Sequence, residues 1–391
     1  MSQDISMQGK SDIVFERVGN AGLITLNRPK ALNALNLNMV RDLTAALLAW
    51  QRDPDILVVG IRGTNKKGQP GTAESLFGGF CAGGDIRFFH TAATSSDASE
   101  AKALEDFFTE EYSLNHLIQT YTKPYISFID GVVMGGGMGL CQGGSAHGDS
   151  PYSTKVRIVT EFTKMAMPET NIGLFPDVGG GYFLSRCPGH VGEYLALTGE
   201  TIGADQAIAF GLADIKRDAA SLPAIWAQLG SPALNSSTAI AQWIATELIA
   251  TDAEFDWATA HIDGYFSLLR VKHIVDALEK AKDDPWAVKT AAVLRKRSPL
   301  MLHVALEQIR KARGMSLADD LRMERDMVYQ CFHLTPGPES ETVEGIRALA
   351  VDKDYSPKWK PARIEDVKPG MADAFFVSPW TADMHPLRDL T

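Results

Sequence analysis

An α/β core followed by a mainly helical C-terminal region is the architecture this sequence predicts. Three observations carry it. Short apolar runs alternate with amphipathic helical segments up to about residue 215. Glycine stands where those runs or their loops hand over to helices. Beyond about Ala219 the strand signals fade while helical periodicity continues. The expected division is therefore a core over residues 1–215 and a helical region over 216–391.

Taken in order, residues 22–26 read as a strand, stopped by Asn27-Arg28-Pro29. Leu37, Val40, Leu43, Ala46, Leu47 and Trp50 then recur at helical spacing. Asn36 is the expected N-cap of that helix, and Asp53-Pro54 ends it. Residues 56–62 form a continuous apolar run, as a strand buried on both faces requires. A long Gly-, Lys- and Thr-rich stretch, 63–79, is expected to be a mobile loop. A helix over 99–120, with Ser99 as cap, leads through Lys123-Pro124 into a strand over 125–129. Gly131 turns that strand into the Gly135-Gly136-Gly137 run, and a further strand is expected at 156–160. A helix follows Gly181 and ends near Asp214. Later helices cover 302–312 and 316–329, with linkers at Ser231-Pro232 and 335–338. There is no sequence-level repeat and no low-complexity tract.

Composition excludes several classes of function. The formal charge of −10 argues against a nucleic-acid partner, which needs a basic face to meet phosphates. No apolar stretch approaches the ~20 residues needed to span a bilayer, so no membrane partner is expected. The first twelve residues lack the apolar run of a signal peptide and the arginines of a transit peptide. Four scattered cysteines, without a C-x-x-C pair, suggest reduced thiols, no metal site and a cytoplasmic protein. Patterns for dinucleotide binding, a serine nucleophile elbow and a P-loop all fail at the glycine runs.

The most informative stretch is residues 167–181, where Pro168-Glu169 and Pro176-Asp177 flank a mostly apolar spacer. Each proline fixes its own φ and restrains the residue before it, so both carboxylates are held stiffly. Two stiff acids against apolar walls can acquire different pKa values, one ionised and one protonated. Spacing alone leaves a structural alternative open: Asp177 as the cap of the next helix, and Glu169 as an ordinary loop glutamate. Cys81-Ala82-Gly83-Gly84-Asp85-Ile86 and Gly135-Gly136-Gly137 could each present a free N–H, and two such groups could grip one oxyanion. Taken singly, each is also readable as a tight turn.

Together these segments resemble the crotonase (enoyl-CoA hydratase/isomerase) superfamily. The motifs run in order: residues 26–35 (LNRPKALNAL), residues 81–86, the triple glycine, Pro168-Glu169 and Pro176-Asp177. The resemblance implies a spiral of ββα units that binds an acyl-CoA thioester, with an oxyanion hole from the Gly84 and Gly136 N–H groups. It implies no cofactor, coenzyme A being part of the substrate. Hydratases of the family carry a glutamate two residues after the triple glycine, where this chain has Gly139. Hydration by two glutamates therefore lacks a partner. The chain is similar instead to the 3-hydroxyisobutyryl-CoA hydrolase branch, through Glu110-Glu111-Tyr112, residues 167–170, 173–183, 344–348 and 352–359.

That resemblance implies thioester hydrolysis with Glu169 and Asp177 as catalytic carboxylates. Glu169 would attack, as nucleophile or as base for water, while Asp177 would hold a proton or orient the 3-hydroxyl and water. Glu111 would be a further substrate-binding acid beside Gly136, Glu169 and Asp177; a solvated helix glutamate is its alternative. Arg28 and Lys30 could meet CoA phosphates or simply be solvated in a turn. His147 is expected to be exposed, and Glu344 with Arg347 to be an ion pair one turn apart. Residues 63–79 and 143–155 are longer than the family's usual segments. A homo-oligomer built through the C-terminal helices is one expectation; a tail folded over its own core is the other.

Overall fold

The sheet begins one strand earlier than the apolar pattern indicates. In the computed structural model, which describes residues 11–67, 72–142, 155–248 and 259–391, Ile13–Val18 (β1) precedes Ala21–Leu26 (β2). The later strands are Val58–Arg62 (β3), Tyr125–Ile129 (β4), Val132–Met134 (β5), Lys155–Val159 (β6), Lys164–Ala166 (β7) and Ile215–Lys216 (β8). The main sheet has the order β1-β2-β3-β4-β6-β8, while β5 and β7 form a small sheet of their own. β1 runs antiparallel to β2, and every other pairing in the main sheet is parallel. As an edge strand whose outer half is exposed, β1 carries Glu16 and Arg17 and so lacks a continuous apolar run. β2, β3 and β4 are buried along their whole length, which is why their sequences are so uniformly apolar.

The chain divides into two compact units that interleave along the sequence. One comprises Met1–Gly84, Leu114–Met165 and Thr201–Trp257; the other comprises Asp85–Ser113, Ala166–Glu200 and Ala258–Thr391. Among the described residues the strands stop at Lys216, close to the position where their sequence signals fade. The units themselves cut across residue 215, each taking segments from both sides of it.

In the first unit, helix Leu37–Arg52 buries Met39, Val40, Leu43 and Leu47, and Asn36 caps it by accepting from the Met39 N–H at 2.9 Å. The sheet residues Leu23, Val58, Ile126, Phe128, Val156 and Ile158 form one core with Leu222, Trp226 and Leu229 of helix Leu222–Leu229. Burying each such aliphatic side chain is worth roughly 1.5–3 kcal/mol. The described ends of the 63–79 stretch are hydrogen-bonded to the rest of the unit and to each other. Thr64 Oγ1 donates to Leu26 O at 2.9 Å, and Asn65 Nδ2 donates to Phe77 O at 2.8 Å.

The second unit is helical. The helix beginning at Ala98 runs to Gln119, but Ser99 is not its cap: the Asp97 carboxylate accepts the Ser99 N–H at 2.8 Å, and Ser99 lies inside the first turn. The single helix expected after Gly181 is three shorter ones, Gly180–Leu184, Val191–Thr198 and Ala204–Ala209; Gly199, at φ 62°, ends the second. Helices Pro299–Ala312 and Leu317–His333 start on the hydroxyls of Ser298 and Ser316, which accept from Met301 and Asp319 N–H. The second of these helices places Asp320 and Glu324 one turn apart, both fully buried.

Candidate active site

In the first unit the glycine motifs are knitted together by backbone. Cys81 N–H donates to Val132 O, and Met134 N–H donates to Cys81 O, both at 3.0 Å. On the other side, Leu35 N–H donates to Gly83 O at 2.8 Å, and Ala82 N–H donates to Leu32 O at 3.0 Å. Asn33 anchors that segment: fully buried, its Nδ2 donates to Thr64 O and Phe80 O, and its Oδ1 accepts the Arg28 N–H. The position a Cβ would take on Gly83 lies only 3.4 Å from the Gly136 nitrogen, so the two loops touch. Gly137 admits no side chain at all, because its Cβ would fall 2.2 Å from Cys81 O. Among the described residues, neither Gly84 N–H nor Gly136 N–H donates to another backbone group. A pair of unengaged amides on two abutting loops is the arrangement an oxyanion hole needs. Gly139 closes the short helix Gly136–Gly139 and is buried without a side chain.

In the second unit Glu111, Glu169 and Asp177 come together, exposed by only 2%, 6% and 6%. Glu111 is therefore no solvated helix residue. Glu169 opens a short turn, Glu169–Ile172, directly after Pro168. Asp177 does not cap the following helix. That place belongs to Gly179, at φ 84°, while the Asp177 side chain accepts the Tyr112 hydroxyl at 2.9 Å. Tyr112 is the neighbour of Glu111 on the same helix, and its buried phenol is pushed well up by burial and by Asp177, so it stays a donor. Glu111 Oε1 and Glu169 Oε2 are buried with no hydrogen-bond partner among the described residues.

The electrostatics separate the three acids. Burial pushes the Glu111 carboxyl well above the carboxylate range, and the Asp177 charge adds to it. Burial does the same to Glu169, again reinforced by Asp177 and then by Glu111. Asp177 is also raised by burial, but the Tyr112 hydroxyl and its own backbone hold it to about 6. Burial thus raises all three acids, and at Asp177 the hydrogen bond from Tyr112 opposes it. None of the three acids forms an ion pair with a Lys, Arg or His among the described residues.

The remaining candidates fall elsewhere. Arg28 donates through Nη1 to Ala34 O and lies 3.6 Å from Asp12, a brace within the turn, whereas Lys30 is exposed. His147 and residues 143–154 of the long 143–155 segment lie outside the described residues. Glu344 and Arg347 do pair, at 2.8 Å, and Arg347 also reaches Asp352 and Asp354. A cavity of about 670 Å³ in the first unit is lined by Arg62, Asp130, Phe162 and Lys164 among others and includes none of the candidate residues. All four cysteines are free and buried. Among the described residues no helix is long and apolar enough to cross a membrane. Asn33 and Tyr112 fall inside motifs of the sequence without a role of their own there, and Gln308, Asp320 and Glu324 carry no local signal.

The sheet, the paired glycine loops and the carboxylates match a known class: the chain belongs to the enoyl-CoA hydratase/isomerase family, which it matches over residues 21–376. It is 39% identical over 383 residues to the 3-hydroxyisobutyryl-CoA hydrolase, mitochondrial, of Danio rerio, covering 96% of this chain and 91% of that protein. It is 35% identical to 3-hydroxyisobutyryl-CoA hydrolase 1 of Arabidopsis thaliana, covering 95% and 93%. Among solved structures it is similar to an enoyl-CoA hydratase from Rhodobacter sphaeroides, with a TM-score of 0.77 and 32% identity over 94% of this chain and 98% of that one. A carnitinyl-CoA dehydratase from Mycobacterium thermoresistibile gives a TM-score of 0.76 at 33% identity, covering 97% and 99%.

Proposed function

We propose that this protein hydrolyses an acyl-CoA thioester, converting 3-hydroxyisobutyryl-CoA to 3-hydroxyisobutyrate and CoA, a step of valine breakdown. The observation that carries the reading is the trio Glu111, Glu169 and Asp177, buried together with no cation paired to them among the described residues. Acids held this way lower stability, and their shifted pKa values mark a site of proton traffic. Gly139, in the place of the hydratase's second glutamate, favours hydrolysis over hydration, and the names of the Danio and Arabidopsis relatives support the substrate.

The chemistry follows from the ordering of the acids. Glu169 must be ionised to attack, and Asp177 takes up its proton. The Glu169 carboxylate then adds to the thioester carbonyl, whose developing oxyanion is stabilised by backbone N–H groups. The C–S bond breaks, an acyl–Glu169 anhydride forms, and the departing CoA sulfur takes the proton from Asp177. Asp177, ionised again, accepts a proton from the water that cleaves the anhydride, which frees the acid and restores Glu169. Glu111, with its unpartnered buried oxygen, binds the 3-hydroxyl of the acyl group.

Free-thiol release from 3-hydroxyisobutyryl-CoA tests the proposal, with crotonyl-CoA alongside as the hydratase substrate. CoA release from the first and none from the second is expected. A folded protein that releases no CoA but hydrates crotonyl-CoA overturns the reading.

A further inference from the structure

The turn that carries Asp177 is strained and is held from a distance. Val178 sits at φ 58°, a left-handed conformation that a β-branched residue rarely adopts, and Gly179 follows at φ 84°. Such a pair persists only where its surroundings over-determine it. Those surroundings converge on Glu324 of helix Leu317–His333, which is fully buried. Its Oε2 accepts the Gly179 N–H at 2.7 Å, and its Oε1 accepts the Gly181 N–H at 2.9 Å. Gln308, also fully buried, donates through Nε2 to Glu324 Oε1 at 3.0 Å and to Pro176 O at 2.6 Å. Asp320, one turn before Glu324, accepts the Tyr182 N–H at 2.8 Å. Pro176, Gly179, Gly181 and Tyr182 are thus each held directly by Gln308, Glu324 or Asp320.

The glycine run Gly179-Gly180-Gly181 serves this clamp. A Cβ on Gly181 would stand 2.3 Å from Asp320 Oδ1, so only glycine lets the acid pair approach the backbone. Burial and the neighbouring Asp320 charge push the Glu324 carboxyl up, against the pull of the Gly181 and Gly179 N–H groups. Its two oxygens accept from two amides and one side-chain amide, a set that suits a carboxylate and that a glutamine cannot match.

We propose that Glu324 is a positioning residue for Asp177: by clamping the Gly179 and Gly181 amides it fixes the strained turn that aims the Asp177 carboxyl. The proposal rests on Asp177 acting in the hydrolysis described above. Glu324→Gln keeps the shape but turns an NH2 group towards one of the two backbone donors. The expected result is a fall in kcat of about 10- to 100-fold with KM changed by less than about threefold, since the interaction removed matters in the transition state and not in substrate binding. In an Asp177→Asn background the same substitution should cost almost nothing further, because both changes disable one device. A merely structural Glu324 gives independent, multiplicative losses, or unchanged kcat per folded molecule, and either result overturns the proposal. Amide hydrogen exchange at Gly179 and Gly181 supplies a readout without substrate: selective acceleration in Glu324→Gln is expected, and unchanged exchange at both overturns the clamp. If the wild-type protein releases no CoA, the hydrolase reading falls, while the exchange measurement still decides whether Glu324 holds the turn.

Discussion

The second unit buries acids in two ways. Glu193 is fully buried, yet Arg313 Nη2 reaches both its oxygens at 2.8 Å, Arg310 Nε stands 3.7 Å away, and His190 Nδ1 lies at 2.9 Å. Glu111, Glu169 and Asp177 are nearly as buried, but among the described residues no cation pairs with them, and the Asp177 carboxylate accepts from the Tyr112 hydroxyl. A buried charge with cations around it is structural: its desolvation is offset by Coulomb attraction and hydrogen bonds. Buried acids without them store that desolvation as displaced pKa values, which is what proton transfer uses. The two groups should therefore fail in different ways when mutated.

The largest effect is expected at Glu169. Glu169→Gln should lower thiol release by a factor on the order of 10³ while leaving folding intact, because it removes the attacking group. Full hydrolysis by that variant, measured as free thiol, would take Glu169 out of the mechanism. The opposite signature belongs to the compensated acid. Arg313→Ala should lower stability by about 3 kcal/mol, read as a shift in denaturant midpoint, with kcat per folded molecule unchanged. Arg310 and His190 remain beside Glu193, which keeps the loss at the low end for a broken buried pair.

Asp177 supplies a test in which stability and activity move in opposite directions with pH. Its value in the folded protein, about 6, lies above the ordinary 3.8. The unfolded chain therefore ionises first as pH rises, so the native state loses relative stability between those values and no more above them. Asp177→Asn should be more stable than wild type by about 3 kcal/mol well above pH 6 and equal to it below pH 4. Wild-type kcat/KM should fall below pH 6, where a protonated Asp177 cannot take the Glu169 proton. Equal stability curves for the two proteins, or a flat activity profile down to pH 4, would place Asp177 with Glu193 and not with the site. The smallest effect is at Tyr112. Tyr112→Phe removes the hydroxyl that holds Asp177 down, so the acid limb of kcat/KM should move to higher pH with little change at its plateau. An unmoved limb would mean that the hydrogen bond does not set the acidity.

What could be read along the chain was what local patterns carry. The apolar runs at 22–26, 56–62 and 125–129 announced buried parallel strands, and Asn36 announced its helix. The proline–acid pairs singled out Glu169 and Asp177 because proline stiffening is local. β1 was missed because an edge strand needs no apolar outer half. Ser99 failed as a cap because the helix starts at Ala98, and Asp97 accepts the N–H of Ser99 itself.

By itself, the sequence determined the alternation of strands and helices, the two glycine loops, the stiff carboxylates and the loss of an acid at Gly139. All of these are set by backbone sterics, period and residue type within a few positions. Only the tertiary structure decided that Glu111 is buried, that Asp177 answers to Tyr112 and that burial raises all three acids. It alone showed Glu324, 145 residues along the chain from Gly179, gripping that residue's amide. Desolvation and charge pairing depend on which distant segments pack together, and no local pattern encodes that.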